Sequence, residues 1–264
     1  MSQTFRINEA QKKHLLDSLK KGVRFDGRKL DQHREVSIEY SISKSAEGSA
    51  RVRIGETEVI AGVKLSIDKP YADSPDEGSL MVDAQLLPLS SPEFELGPPS
   101  IEAIELARVV DRGIREAKAI DTKKLCVKEG EKVWIVSIDI CTINNAGNLF
   151  DASALAAIAA LKDARFPEYD GVSIDYKKHS DKKLPLTKIP VAVTVFKAGS
   201  TLFIDPSLYE EQVIDARLTV TMMQNGELCA LQKGEAKPLS IEEINQMIDL
   251  GISKAKELTK HIQK

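Results

Sequence analysis

One grammar recurs at the two ends of this chain: short runs of alternating apolar and polar residues, parted by glycine turns, then a long amphipathic helix. Alternation with period two marks half-buried strands, and spacing of three and four marks helices. Val36, Ile38, Tyr40 and Ile42 alternate in this way. Gly48-Ser49 reads as a turn before Ala50, Val52 and Ile54, and Gly55-Glu56-Thr57 as another before a strand over residues 59–67. A strand over 79–87 follows, and Ser100 can cap a helix running to about residue 119. The later half gives strands over 191–196, 202–204, 213–223 and 228–232, with turns at Gly199-Ser200 and Asn225-Gly226. Ser240 then opens the last helix, with Glu243 three residues on completing a capping box. This order predicts an α+β fold of two β-rich lobes, each backed by helices. A single α+β fold without internal symmetry is the alternative.

The remaining segments set the boundaries. Asn8 can cap a helix in which Ala10, Leu15, Leu16 and Leu19 share a face, ending at Gly22. Residues 69–78, with Pro70, Pro75, Gly78 and several charges, read as a loop. A strand over 132–142 surrounds the single tryptophan, Trp134, and an alanine-rich helix over 152–164 calls for close packing. The expected units are an N-terminal helix over 1–22, a first lobe over 23–166, a connecting segment over 167–189 and a second lobe over 190–264.

With 264 residues, 42% of them hydrophobic and 29% charged, the chain can bury a substantial core as an ordinary soluble protein. Its richest apolar stretch, from Leu149 to Leu161, is interrupted by Asp151 and Ser153, so no membrane span is expected. The start MSQTFRINEAQKKHLL has no apolar core and predicts no secretory signal. Cys126, Cys141 and Cys229 are odd in number and lack CxxC spacing, which points to reduced thiols in the cytoplasm. The four histidines are scattered, and no metal or other cofactor is expected. A net charge of −3 differs from the basic excess of a free-standing nucleic-acid binder, so any RNA contact must be a local patch or shared with a partner.

Three groups could carry chemistry. Arg108, Arg112 and Arg115 share one helix face and suit phosphates, because each guanidinium donates in a fork. The bland reading pairs them with Glu105, Asp111 and Glu116, at ~0.3–0.5 kcal/mol per pair. The turn Asn144-Asn145-Ala146-Gly147-Asn148-Leu149 lies between a strand and a helix, where backbone N–H groups can cradle an anion, yet it holds no cation and equally serves as a tight turn. Asp205 and Glu211, with Glu210 and Asp215 nearby, could coordinate magnesium or act as a base; they read equally as a turn with solvated glutamates.

Taken in order, five segments resemble the RNase PH family of phosphate-dependent 3′-end RNA nucleases: GVRFDGRKLDQHR at 22–34, GSARVRIGETEVIAGVK at 48–64, the arginine helix, NNAGNLFDASALAAIAAL at 144–161 and the Asp205 turn. The resemblance runs from about residue 22 to 260. It is nearest to the non-catalytic RNase PH-type ring subunit of the archaeal exosome, through GNLFDA at 147–152 and IDPSLYEE at 204–211. It implies a tandem pair of split β-α-β-type lobes with mixed or antiparallel sheets. It also implies an alternating hexameric ring with a catalytic sister subunit, RNA in the central channel and RNA-binding cap proteins. Active members carry Gly-Ser-Arg or Gly-Thr-Arg where this chain has Gly147, Asn148 and Leu149, and a second aspartate where it has Glu211. The expectation is therefore a degenerate phosphate loop (Gly147, Asn148, Leu149), a degenerate acidic site (Asp205, Glu211), no catalytic residue, and RNA contacts through Arg112, Arg115 and Arg108. An active phosphorolytic nuclease in its own right is the rival reading.

Overall fold

The computed structural model describes residues 7–263; residues 1–6 of the expected N-terminal unit and residue 264 of the second lobe lie outside the described residues. After helix α1 (Glu9–Lys20), strands β1 (Val36–Tyr40), β2 (Gly48–Ile54) and β3 (Thr57–Asp68) form an antiparallel meander. Strand β4 (Ser79–Gln85), helix α2 (Ile101–Glu116), a short 3-10 turn at Thr122–Leu125, β5 (Cys126–Lys128) and β6 (Lys132–Asn144) complete the first sheet. Its order is β1-β2-β3-β6-β4, with β5 beside β6. Strands β4 and β6 run parallel, a pairing that requires the long crossover supplied by α2. The sheet is thus mixed.

Helix α3 (Leu149–Asp163) follows β6 directly. Strands β7 (Arg165–Tyr169) and β8 (Ile174–Lys183) then make a separate hairpin that begins two residues before the stretch read as a connector and fills most of it. The second lobe holds β9 (Val191–Ala198), β10 (Thr201–Ile204), the single-turn α4 (Leu208–Glu211), β11 (Ala216–Met222), β12 (Leu228–Gly234) and α5 (Ile241–Gln263). Its antiparallel sheet has the order β10-β9-β11-β12. No described helix is long and apolar enough to cross a membrane.

Packing explains the composition of each helix. Helix α3 rests on β2 and β3 of the first sheet and on β9 of the second, so it is enclosed on nearly every side. Alanines 152, 156, 157, 159 and 160 are fully buried, and their small side chains let both sheets approach. Helix α5 packs on β9 and β11, and its capping box forms as expected: the Ser240 N–H donates to Glu243 and the Glu243 N–H to Ser240 Oγ. Asn8 and Gln11 make the same reciprocal cap on α1. That helix buries Leu15 and Leu19 against Phe196 and Phe203 of the second lobe, while Ala10 stays exposed.

Gly48 does not form a turn as expected; it lies inside β2. A Cβ there would come within 2.4 Å of the Ala160 carbonyl oxygen, so glycine is needed for α3 to lie against the sheet.

Candidate functional site

Two loops from different lobes meet. The loop between β6 and α3 presents Ala146, Gly147 and Asn148, and the turn after β10 presents Asp205. Gly147 has φ +98°, and a Cβ on it would lie 2.4 Å from the Pro206 carbonyl oxygen. Only glycine permits so close an approach. Asn148 (φ 59°) and Asp205 (φ 47°) are also left-handed, a conformation that Asn and Asp tolerate better than other residues.

Asp205 is fully buried and its carboxylate is saturated. Arg34 donates to it from its backbone N–H, Nε and Nη2, Arg28 from Nη1 and Asn148 from Nδ2, all within 3.0 Å. Burial alone would raise its pKa, but the Arg34 hydrogen bonds and charge, with the Asn148 amide, outweigh burial and hold the carboxyl below its ordinary value. The Arg34 guanidinium is also spent: Nη1 donates to the Ala146 carbonyl and Thr57 Oγ1, and Nη2 to the Gly147 carbonyl as well as Asp205. One side chain thus ties the loop before α3 to the turn after β10.

Arg24 repeats this arrangement one step deeper. It forks onto Glu210 at 2.8 and 2.6 Å and donates to the carbonyls of Ile204 and Asp205. Both partners are almost wholly buried, which demands the full set of hydrogen bonds they make. The solvated pair expected at Glu210 and Glu211 is therefore corrected, because Arg24 draws Glu210 inside. Asp215 stands apart, paired with Lys237 at 2.7 Å.

Glu211 caps the other side of the site. Its Oε1 accepts the Asn148 N–H at 2.8 Å, so a carboxylate sits at the N-terminal end of α3. That is the position where free N–H groups receive anions. The residue keeps some exposed surface, yet its carboxyl is walled in, and burial pushes its pKa up to about 7 against the opposing pull of the Asn148 N–H and Arg34. Leu149 turns partly into the hydrophobic core.

The arginine face of α2 lies elsewhere, beside β12. Arg108, Arg112 and Arg115 are all exposed along a groove of about 630 Å³. The expected pairings hold for only one of them. Arg115 forks onto Asp111 at 2.7 and 3.1 Å, which holds its pKa above the usual value. Glu105 instead pairs with Arg217 on β11 at 2.6 Å. Arg112 donates only to the neutral Gln232, and Arg108 makes no ion pair or hydrogen bond among the described residues. Two guanidiniums therefore face solvent without a charge partner.

Sequence reasoning assigned no role to Arg24, Arg28 and Arg34. Their signal was the segment at 22–34 itself, with three arginines in thirteen residues.

A duplicated α+β fold, with a helix-capping loop facing an aspartate turn, defines a protein of the 3′-exoribonuclease class. Residues 32–167 match the 3′ exoribonuclease family, domain 1, and residues 188–254 match domain 2 of that family. The chain belongs to the RNase PH-type 3′ exoribonuclease family. It is 42% identical over 255 residues to the exosome complex component Rrp42 of Methanopyrus kandleri, covering 96% of each chain. It is 46% identical over 253 residues to that of Methanosarcina acetivorans, covering 96% of this chain and 93% of the relative. Among solved structures it is similar to a chain described as Archaeoglobus fulgidus exosome with RNA bound to the active site, with TM-score 0.89, 42% identity and coverage of 96% and 97%. Rice Rrp46, at TM-score 0.67 and 18% identity over 91% and 98% of the two chains, shares the fold.

Proposed function

We propose that this chain is a non-catalytic ring subunit of an exosome core, gripping RNA and shaping the active site of a catalytic RNase PH-type sister. The sister would attack the 3′-terminal linkage of RNA with inorganic phosphate and release nucleoside diphosphates. The proposed assembly is cytoplasmic, an alternating hexamer with RNA in its channel and RNA-binding cap proteins on one face. Kinship with Rrp42 proteins and with a solved archaeal exosome core at TM-score 0.86 supports the assembly.

One observation carries the non-catalytic reading: the guanidinium that reaches the two facing loops is already spent inside the protein. Arg34 spends its donors on Asp205, Ala146, Gly147 and Thr57, while Glu211 holds the N–H of Asn148. A phosphate arriving there meets a carboxylate and the aliphatic side chain of Leu149. The end of α3 is occupied, and no guanidinium is free for the phosphate capture that the chemistry needs. The uncommitted Arg108 and Arg112 are assigned to RNA phosphates, which they contact without regard to sequence. Arg115, already held by Asp111, is assigned a lesser share.

The test is to incubate the purified chain with RNA, magnesium and phosphate, alone and after assembly with the sister. Diphosphate release by the mixture only is the expected result. Release by the chain alone would make it a nuclease in its own right.

A further inference from the structure

We propose that the cavity beyond the C-terminal end of α2 takes one ribonucleotide unit of an RNA chain, its base against Tyr71 and its phosphate between Lys118 and Lys188. This inference rests on the reading of the chain as an RNA-handling subunit and adds a binding site that adjoins the α2 groove at Arg115. The cavity measures about 730 Å³ and lies between the loop before β4, the last turn of α2, the 3-10 turn and the segment leading into β9. Its floor is apolar, with Leu80, Ile114 and Leu125 all buried. Tyr71 stands at the rim with 67% of its surface exposed, an aromatic ring with no packing role in the core. An exposed ring above an apolar floor offers a base the stacking surface that single-stranded nucleic acids use.

Charge points the same way. Arg115, Lys118, Lys123 and Lys188 line the cavity against the carboxylates of Glu77 and Asp121, although the chain as a whole carries −3. Both carboxylates are engaged, Glu77 by the Thr122 hydroxyl at 2.9 Å and Asp121 by Lys124 at 3.2 Å. Arg115 and Lys123 also have acidic partners, Asp111 and Asp76. The ammonium groups of Lys118 and Lys188 have no ion-pair or hydrogen-bond partner among the described residues. The backbone brings those two lysines together, because the N–H groups of Thr187 and Lys188 both donate to the Ala119 carbonyl. Two free cations flanking a concave, aromatic-rimmed space suit a phosphodiester joined to a base; a purely electrostatic patch would need no floor and no ring.

The experiment uses the chain assembled with its catalytic sister and measures anisotropy of labelled oligouridylate and of the same backbone lacking bases. Tyr71→Ala is expected to weaken oligouridylate about tenfold and leave the abasic RNA unchanged, while Tyr71→Phe binds like the parent. Lys118→Ala with Lys188→Ala weakens both RNAs and flattens the salt dependence. Equal binding of both RNAs by Tyr71→Ala and the parent would overturn the inference, as would an equal loss for both. Arg112→Ala, run alongside, separates the two readings: a loss there with none at Tyr71 removes this inference and leaves the α2 groove standing.

Discussion

Arg34 grips both oxygens of Asp205, with Nη2 on Oδ1 at 2.7 Å and Nε on Oδ2 at 2.9 Å. The Asp205 carboxylate thereby ties the turn after β10 to the segment before β1. Removing the guanidinium by Arg34→Ala strips two donors from a buried carboxylate and leaves two loop carbonyls unpartnered. Breaking a buried pair of this kind costs about 3–5 kcal/mol. Urea denaturation is expected to show that loss. A midpoint unchanged from the parent would return Asp205 to the pool of available carboxylates.

Glu211 gives the fold a pH dependence of definite sign. Its ordinary value is 4.5 and burial raises it to about 7 in the folded chain. Between those values the folded state keeps a proton that the unfolded state has released, so stability falls as pH rises through the window. The full swing is on the order of 3 kcal/mol. Asp205 acts in the opposite sense, but its lowered value places its contribution at more acidic pH. Glu211→Gln keeps the acceptor for the Asn148 N–H and cannot ionise. Its unfolding free energy is expected to lose the decline between about pH 4.5 and 7 that the parent shows in the same titration.

The α2 face makes a prediction that discriminates among its own arginines. Arg112 touches only Gln232 and Arg108 is unpaired among the described residues, whereas Arg115 is neutralised by Asp111. Arg112→Ala in the assembled ring is expected to weaken binding across RNA sequences and lower the log–log salt slope by about 0.7, the value for one single-strand phosphate contact. Arg108→Ala behaves alike, and Arg115→Ala changes the slope less. Equal slopes for all four proteins would remove RNA phosphates from this face.

What local rules govern was legible in the chain. The caps at Ser100 and Ser240, the alternation in β3 and the enclosure of the alanine-rich α3 all follow from spacing within one element. What failed depended on distant partners. Gly48 sits against Ala160, and Glu105 turned from the arginines on its own helix to Arg217 on β11. Glu210 left solvent because Arg24, 186 residues earlier in the chain, reaches it. The loop over 144–149 holds no cation of its own, but one reaches it from outside. Arg34 comes from another segment, but its donors face the protein and leave none for a ligand.

That distinction decides what a repair of the loop would do. Leu149→Arg installs the residue that the resemblance expects of active members, and a count of motif residues would expect phosphorolysis to follow. The geometry opposes it on two grounds. Glu211 already holds the Asn148 N–H at 2.8 Å, so the end of α3 has its anion, and a new guanidinium would first meet that carboxylate. Leu149 also contributes apolar surface to the core, so the substitution forfeits roughly 1–2 kcal/mol of packing. Purified Leu149→Arg, given RNA, magnesium and phosphate without the sister, is expected to release no nucleoside diphosphate. Removing the occupant as well, in Leu149→Arg with Glu211→Asp, shortens the carboxylate by a methylene and draws it back from the helix end. Phosphate binding by the double variant alone, read by phosphorus-31 line broadening, would confirm that Glu211 is the block; binding by Leu149→Arg alone would show that it is not.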